Sequence, residues 1–451
     1  MKSIIIGAGE VGAHLARVLI SENYDVIVID QSEEACDNLA QTQDLMTLSG
    51  SGTNPTVLKE AGINDASLLI AVTNSDEANI LACLIASRCG VSTKIARVAN
   101  NSSYFQNEEL LTPSELGIDH LINSEELCAH EFIRLLTGIE AREVVEFAEG
   151  KVQLIAFHIQ SDNPLINQPI QNIVRQNAFS RIRFTSIKRK NGKTIIPQGS
   201  DSVLEGDEIF VMGSKPAVSE LLQFSGVPLR HKLERLVIAG ATPIGIQTAR
   251  MLESKPIQVT IIETDLKRAE HAVSVLKRAT VLHGSYLDPN LLAEAQISYA
   301  DSFISVTGDD EDDIMACVMA KSAGAERTMP LIQRPSYLPI LASITELDSA
   351  VSRHLTAVND ILRLVRRGHV LAATVLRDID AEVLELVVQN RAKIAGKKIH
   401  SIPFPDRALI GSVVRDGKVL TPTGDLVIQP GDDVIVCSQS RSIPRVEALF
   451  V

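Results

Sequence analysis

The residues most able to do chemistry stand at the start of the chain. Gly7-Ala8-Gly9-Glu10-Val11-Gly12 follows the apolar run Ile4-Ile5-Ile6 and precedes Ala13-His14-Leu15-Ala16-Arg17-Val18-Leu19, whose apolar residues recur at helical spacing. A strand, a glycine turn and a helix in that order suit a pyrophosphate. Gly7 permits the sharp turn, Gly9 lets phosphate approach the backbone, and Gly12 lets helix and strand pack closely. The helix N-terminus supplies free N–H groups and the positive end of its dipole. A second strand, Asp25-Val26-Ile27-Val28-Ile29, ends in Asp30. A carboxylate there accepts hydrogen bonds from a ribose 2′-hydroxyl and repels a 2′-phosphate. These residues favour NAD(H) or an adenosine nucleotide over NADP(H).

The elements that must position these groups alternate. Strands are expected around Met46-Thr47-Leu48, Leu68 to Val72, Ile95 to Val98 and Leu121-Ile122, with helices between them and a longer helix from Glu125 to about Thr137. Such alternation makes a doubly wound parallel sheet, on which ligands bind beyond the carboxyl ends of the strands. Ser51, Thr73, Asn74 and Arg97 fall at such ends and join the candidate site. From about residue 140 to 226 the pattern changes to short alternating strands, with Asn191-Gly192 as a hairpin signal, so a small α+β lobe is expected.

The chain then begins again. Gly240-Ala241-Thr242-Pro243-Ile244-Gly245 answers the first glycine loop and Glu263 answers Asp30. Thr307 to Glu311 answers Thr73 to Glu77, Gln333 is matched to Arg97, and a helix from Leu355 to Arg366 matches the one from Glu125. In the small lobe Asn191-Gly192-Lys193, Pro197, Gly199 and Gly206-Asp207 recur as Asp416-Gly417-Lys418, Pro422, Gly424 and Gly431-Asp432. The expected fold class is therefore α/β: two Rossmann-like doubly wound domains, each followed by a small α+β lobe. The expected bounds are 1–139, 140–226, 227–369 and 370–451. The second loop departs from the first. Thr242 replaces the middle glycine, Pro243 removes an N–H donor and Glu263 is longer than Asp. Gly240, Ala241, Thr242, Pro243, Ile244 and Glu263 are thus a weaker, altered or structural site.

This tandem arrangement resembles the RCK/KTN family, regulators of potassium conductance. Gly7 to Gly12, Asp30, Thr73-Asn74-Ser75-Asp76-Glu77-Ala78-Asn79, Ile95-Ala96-Arg97 and the Pro-x-Gly and Gly-Asp pairs of each lobe carry the resemblance, which spans the chain. It implies a protein that binds NAD(H), and in some members ATP or ADP. It implies a homo-oligomer, dimer to tetramer ring, beneath a membrane potassium-translocating subunit of the Trk type. It also implies a cytoplasmic location, peripheral at the inner face of the membrane through that partner. Gly7 to Val11 would hold the phosphates and Asp30 the ribose, while Thr73, Asn74 and Arg97 would line the rest. Hinges would fall near residues 124–140 and 352–370.

Composition bounds the alternatives. The 451 residues are 45% apolar and 22% charged, with 43 Lys plus Arg against 56 Asp plus Glu and a net charge of −13. That balance suits a globular protein of about two to four domains and argues against nucleic-acid binding. No signal peptide is expected, since the apolar start is three isoleucines long, and no stretch approaches the ~20 apolar residues of a membrane span. Six cysteines without a CxxC pair and ten scattered histidines suggest reduced thiols, Cys83 and Cys89 among the core, and no metal site. No catalytic acid–base set is evident, so the expectation is a non-enzymatic sensor. The alternatives are an NAD-dependent dehydrogenase or a nucleotide-sensing subunit of another cation channel or antiporter. The acidic run Asp309 to Asp313 reads as helix capping rather than a cation site. Arg363, Arg366 and Arg367 read as a solvated helix end. Arg97 fits a phosphate or a neighbouring subunit, and the longer helices fit dimer clamps or plain packing.

Overall fold

The computed structural model describes residues 2–21, 24–99, 104–105, 112–137, 143–175, 179–190, 192–227, 233–341, 344, 346–365, 370–375, 381–405 and 407–450. Asn191, Arg366 and Arg367, and the expected hinge positions 138–140 and 366–369, lie outside the described residues. The chain forms two units, residues 1–137 with 232–365 and residues 138–231 with 366–451.

The first unit holds two six-stranded parallel sheets. The first comprises β1 (Lys2–Ile6), β2 (Asp25–Asp30), β3 (Met46–Ser49), β4 (Leu68–Ala71), β5 (Thr93–Arg97) and β6 (His120–Ile122), in the order β3-β2-β1-β4-β5-β6. This is the doubly wound order that leaves a crevice beyond the carboxyl ends of β1 and β4. Ile6 pairs with Ile29 on one side and Ala71 on the other. The central strand is buried on both faces, which its run of isoleucines suits. Helices Glu10–Ser21, Glu33–Thr42, Pro55–Glu60 and Asp76–Arg88 follow the first four strands. Ser32, Asn54 and Ser75 cap three of them through their side chains.

The second sheet has the same order, built in chain sequence from strands Arg235–Ala239, Gln258–Glu263, Thr280–His283, Ser302–Ser305, Thr328–Ile332 and Val351–Ser352. The final helix of each half packs on the other half. Cys128, Phe132 and Leu136 of the Ser124–Thr137 helix join the core of Leu236, Ile238, Ile261 and Ile304. Reciprocally, Val358, Ile361, Leu362 and Val365 of the Arg353–Val365 helix join Ile5, Leu15, Val28 and Ile70. The longer helices thus clamp the two halves of one chain together.

The second unit holds two five-stranded antiparallel sheets. Strands Glu143–Phe147, Val152–His158, Glu208–Ser214, Ile182–Lys188 and Thr194–Ile195 lie side by side in that order. Val370–Val375, Glu382–Val387, Asp433–Ser438, Ala408–Arg415 and Lys418–Leu420 repeat the arrangement. One face of each sheet meets the other across Phe147, Leu154, Phe210 and Met212 with Val383, Val414, Ile435 and Cys437. In each lobe an aspartate at the Gly-Asp turn is buried and paired with an arginine, Asp207 with Arg189 and Asp432 with Arg415. That pairing is the physical reason the Gly-Asp landmark recurs.

Candidate nucleotide site

In the first half the glycine loop and Asp30 meet directly. The Ala8 N–H donates to Asp30 Oδ2 at 2.6 Å and the Ser32 N–H to Asp30 Oδ1 at 2.9 Å. Asp30 is only partly buried. The three glycines differ in surroundings. A Cβ on Gly7, at φ +110°, would lie 3.2 Å from the Thr73 nitrogen, and one on Gly12 would run into the Gly7 carbonyl oxygen. Among the described residues, a Cβ on Gly9 would meet nothing within 4 Å. Gly7 and Gly12 are glycine because the protein is close, whereas Gly9 borders open space at the start of a helix. Glu10 and Val11 are exposed and partly exposed on that helix's first turn. Exposed as its side chain is, partial desolvation and then Asp310 push the Glu10 carboxyl up, with Arg334 opposing.

The other first-half candidates gather at the same sheet edge. Gly50 N–H donates to the Asp30 carbonyl at 2.8 Å, placing Ser51 beside Asp30, and Ser51 Oγ lies 2.8 Å from Thr53 Oγ1. Arg97 donates to the Thr73 carbonyl at 2.9 Å and to Asn74 Oδ1 at 2.7 Å. Asn79, fully buried, ties this corner together. Its Oδ1 accepts from Thr73 N and Oγ1 at 2.9 and 2.7 Å, and its Nδ2 donates to the carbonyls of Thr73 and Arg97 at 3.0 and 2.8 Å. Asn79 carried the family resemblance, but its role as a brace was not legible, because a buried amide and an exposed one look alike in sequence.

The second half repeats the frame and fills it. Ala241 N–H donates to Glu263 Oε2 at 2.7 Å, as Ala8 does to Asp30. Glu263 is 1% exposed and also accepts from Asp265 N, Thr264 Oγ1 and the Arg268 guanidinium at 2.8, 3.2 and 3.0 Å. Thr242 Oγ1 donates to the Val306 carbonyl at 2.7 Å and caps the Pro243–Leu252 helix through Gly245 N at 3.4 Å. Ala241 and Ile244 are buried, and a Cβ on Gly240 would abut Val306 and Thr307. The carboxylate that would meet a ribose is consumed by protein partners.

The match of Gln333 to Arg97 is corrected by the register. Ala99 N–H donates to Asp76 Oδ1 in the first half, and Gln333 N–H to Asp310 Oδ1 in the second. Gln333 therefore answers Ala99, and Leu331 answers Arg97. The second half has no cation at that position.

The acidic run divides its tasks. Asp309 caps the Asp310–Ser322 helix, Asp310 and Glu311 hold Arg334, and Asp312 accepts from Tyr286 at 2.7 Å. Asp313 occupies the place of Asn79. Its Oδ1 accepts from Ser305 Oγ, Thr307 N and Thr307 Oγ1 at 2.7, 2.7 and 2.9 Å, while its fully buried Oδ2 has no hydrogen-bond partner among the described residues. Where Asn79 donates, a carboxylate cannot. Burial, with a smaller push from Asp310, raises the Asp313 carboxyl from 3.8 to about 6. Tyr286 and Cys317 also lie in its field. A pKa raised in the fold means that the folded chain holds a proton which the unfolded chain has released. Stability thus falls as pH rises from about 4 to about 6 and stays lower above, by an amount on the order of 3 kcal/mol. Asp313→Asn keeps the Oδ1 contacts and restores the donor. It is expected to raise the melting temperature above pH 7 and to flatten that slope, and an unchanged pH profile would contradict it.

The sequence itself matches known proteins at full length. The TrkA-N domain family matches residues 3–124 and 236–353, and the TrkA-C domain family residues 154–226 and 383–451. The Trk system potassium uptake protein TrkA of Haemophilus influenzae is 34% identical across 100% of this chain and 98% of its own length. That of Halomonas elongata is 35% identical with the same coverage. Among solved structures, the GsuK RCK domain (TM-score 0.58, 18% identical) covers 100% of this chain and 94% of that one. A GsuK channel bound to NAD (TM-score 0.58, 18% identical) covers 100% and 78%. The likeness to these two structures is one of fold. With both domain types matched twice, in the order in which the two halves repeat, the chain belongs to the TrkA family of Trk system potassium uptake proteins.

Proposed function

We propose that this chain is the nucleotide-binding regulatory subunit of a Trk-type potassium uptake system, non-catalytic, acting at the cytoplasmic face of the membrane through its pore-forming partner. The observation that carries the reading is the asymmetry of the two loops. Gly9 borders open space beside a part-exposed Asp30, whereas Thr242 and Glu263 are occupied by protein contacts. Gly7 to Gly12 would receive the pyrophosphate of NAD(H), or the phosphates of ADP or ATP. Asp30 would receive the adenosine ribose, with Ser51, Thr73, Asn74 and Arg97 around the rest. The second loop would serve as a structural copy. The NAD-bound GsuK channel, of like fold, and the potassium-uptake relatives support the ligand and the partner. The four-part division at 139, 226 and 369 belongs to this reading.

A homo-oligomer fits the same picture. Ile80, Leu81 and Leu84 leave a partly exposed apolar face on the Asp76–Arg88 helix, and Ile314, Met315 and Val318 leave its counterpart on the Asp310–Ser322 helix. Two such faces per chain allow copies to join edge to edge into a ring.

Regulation requires a nucleotide that binds two arrangements of the subunit unequally. Potassium flux through a Trk-type pore subunit reconstituted with this chain is expected to change on adding NADH or ADP, and flux indifferent to nucleotide would contradict the proposal. Asp30→Ala is expected to weaken nucleotide binding by about 1.5–3 kcal/mol, the value of a charge-assisted hydrogen bond. Glu263→Gln is expected to leave affinity unchanged. An equal loss from both, by fluorescence titration, would mean that the second half binds too.

A further inference from the structure

We infer that Arg353, contributed by the second half, is a phosphate-binding residue of the first half's nucleotide site. The inference rests on the reading of Gly7 to Gly12 as that site.

Arg353 opens the helix that crosses onto the first half. In that helix's first turn, His354 Nε2 lies 2.9 Å from Nδ1 of His14, one turn beyond Glu10 in the helix that begins at the glycine loop. The start of the second helix therefore packs against the second turn of the helix that begins at the glycine loop. Arg353 also lies 3.7 Å from Glu125. Glu125 follows β6, whose Ile122 pairs with Arg97. Arg353 and Arg97, from opposite halves, thus border the same carboxyl edge of the first sheet.

The two guanidinium groups work against each other. The Arg97 pKa is lowered, first by burial and next by Arg353, and Asp76 offsets this only in part. Among the described residues Arg97 donates to a carbonyl and an amide oxygen rather than to a carboxylate. Among the described residues Arg353 has a carboxylate only at the outer range of an ion pair, and its side chain remains 35% exposed. Two cations held close at the edge of a glycine loop suit an anion between them. A planar guanidinium matches a phosphate through two parallel hydrogen bonds. The ligand class is accordingly a nucleoside diphosphate or the pyrophosphate of a dinucleotide.

The test compares ADP with adenosine, each displacing fluorescent NADH from the full chain. Arg353→Gln is expected to weaken ADP at least about tenfold, leave adenosine unchanged and reduce the salt dependence of ADP binding. Arg353→Lys is expected to recover part of the ADP affinity. Glu125→Gln, which frees the arginine from its competing carboxylate, is expected to bind ADP as tightly as the wild type or more so. Unchanged ADP affinity in Arg353→Gln would overturn the inference while leaving the loop assignment standing, and so would equal losses for ADP and adenosine, which mark a structural effect. A wild-type chain that binds none of the three ligands would overturn the loop assignment and the arginine's role together.

Discussion

Gly9→Val is expected to lower nucleotide affinity by at least about a hundredfold while leaving the fold intact. The isopropyl group would project into the space beside the loop, since none of the described residues lies within 4 Å of a Cβ there. It would keep phosphate from the N–H groups at the start of the Glu10–Ser21 helix. Losing two charge-assisted hydrogen bonds, at about 1.5–3 kcal/mol each, gives that factor or more. Gly12→Val provides the contrast. Its Cβ would run into the Gly7 carbonyl oxygen, so that variant is expected to lose the loop and much of the domain's stability as well. Melting curves and NADH titrations on both variants separate the two mechanisms. A Gly9→Val chain that binds normally would remove the loop from the site.

Phe132→Ala is expected to destabilise the first unit by about 3–5 kcal/mol, the range for truncating a fully buried phenylalanine. Phe132 belongs to the first half by sequence, yet it is 0% exposed within the core of Leu236, Ile238, Ile261 and Met329. The damage should therefore appear on the far side of the repeat. Amide hydrogen exchange in Arg235–Ala239 and Gln258–Glu263 should quicken at least as much as in the strands of the first half. Urea unfolding measures the size of the loss. A loss below about 1 kcal/mol, or exchange changes confined to residues 2–122, would contradict the cross-packing.

The frame was legible because its chemistry is local. A strand, a glycine loop, a helix and an acid at the next strand's end are set by turn geometry and apolar periodicity, and their recurrence from Gly240 and Glu263 exposed the duplication. The cross-packing was not legible. The amphipathic pattern of Ser124–Thr137 states that one face is buried but not which surface covers it. The pairing of Gln333 with Arg97 failed for a related reason. Side chains alternate with a period of two along a strand, so a shift of two residues preserves every apolar position. Only the backbone donations to Asp76 and Asp310 fix the register. The acidic run misled in part, because capping describes Asp309 whereas Asp313 is a buried carboxyl in an asparagine's place.

The central claim is that one of the two loops binds nucleotide and turns none over. Titration of the purified chain with NADH tests it most directly, followed by the nucleotide's own fluorescence, which the absence of tryptophan leaves clear, and by absorbance for consumption. The expected result is saturation at one nucleotide per chain, lost in Gly9→Val, with no consumption across a panel of carbonyl substrates. Two nucleotides per chain, or steady consumption with any substrate, would contradict it.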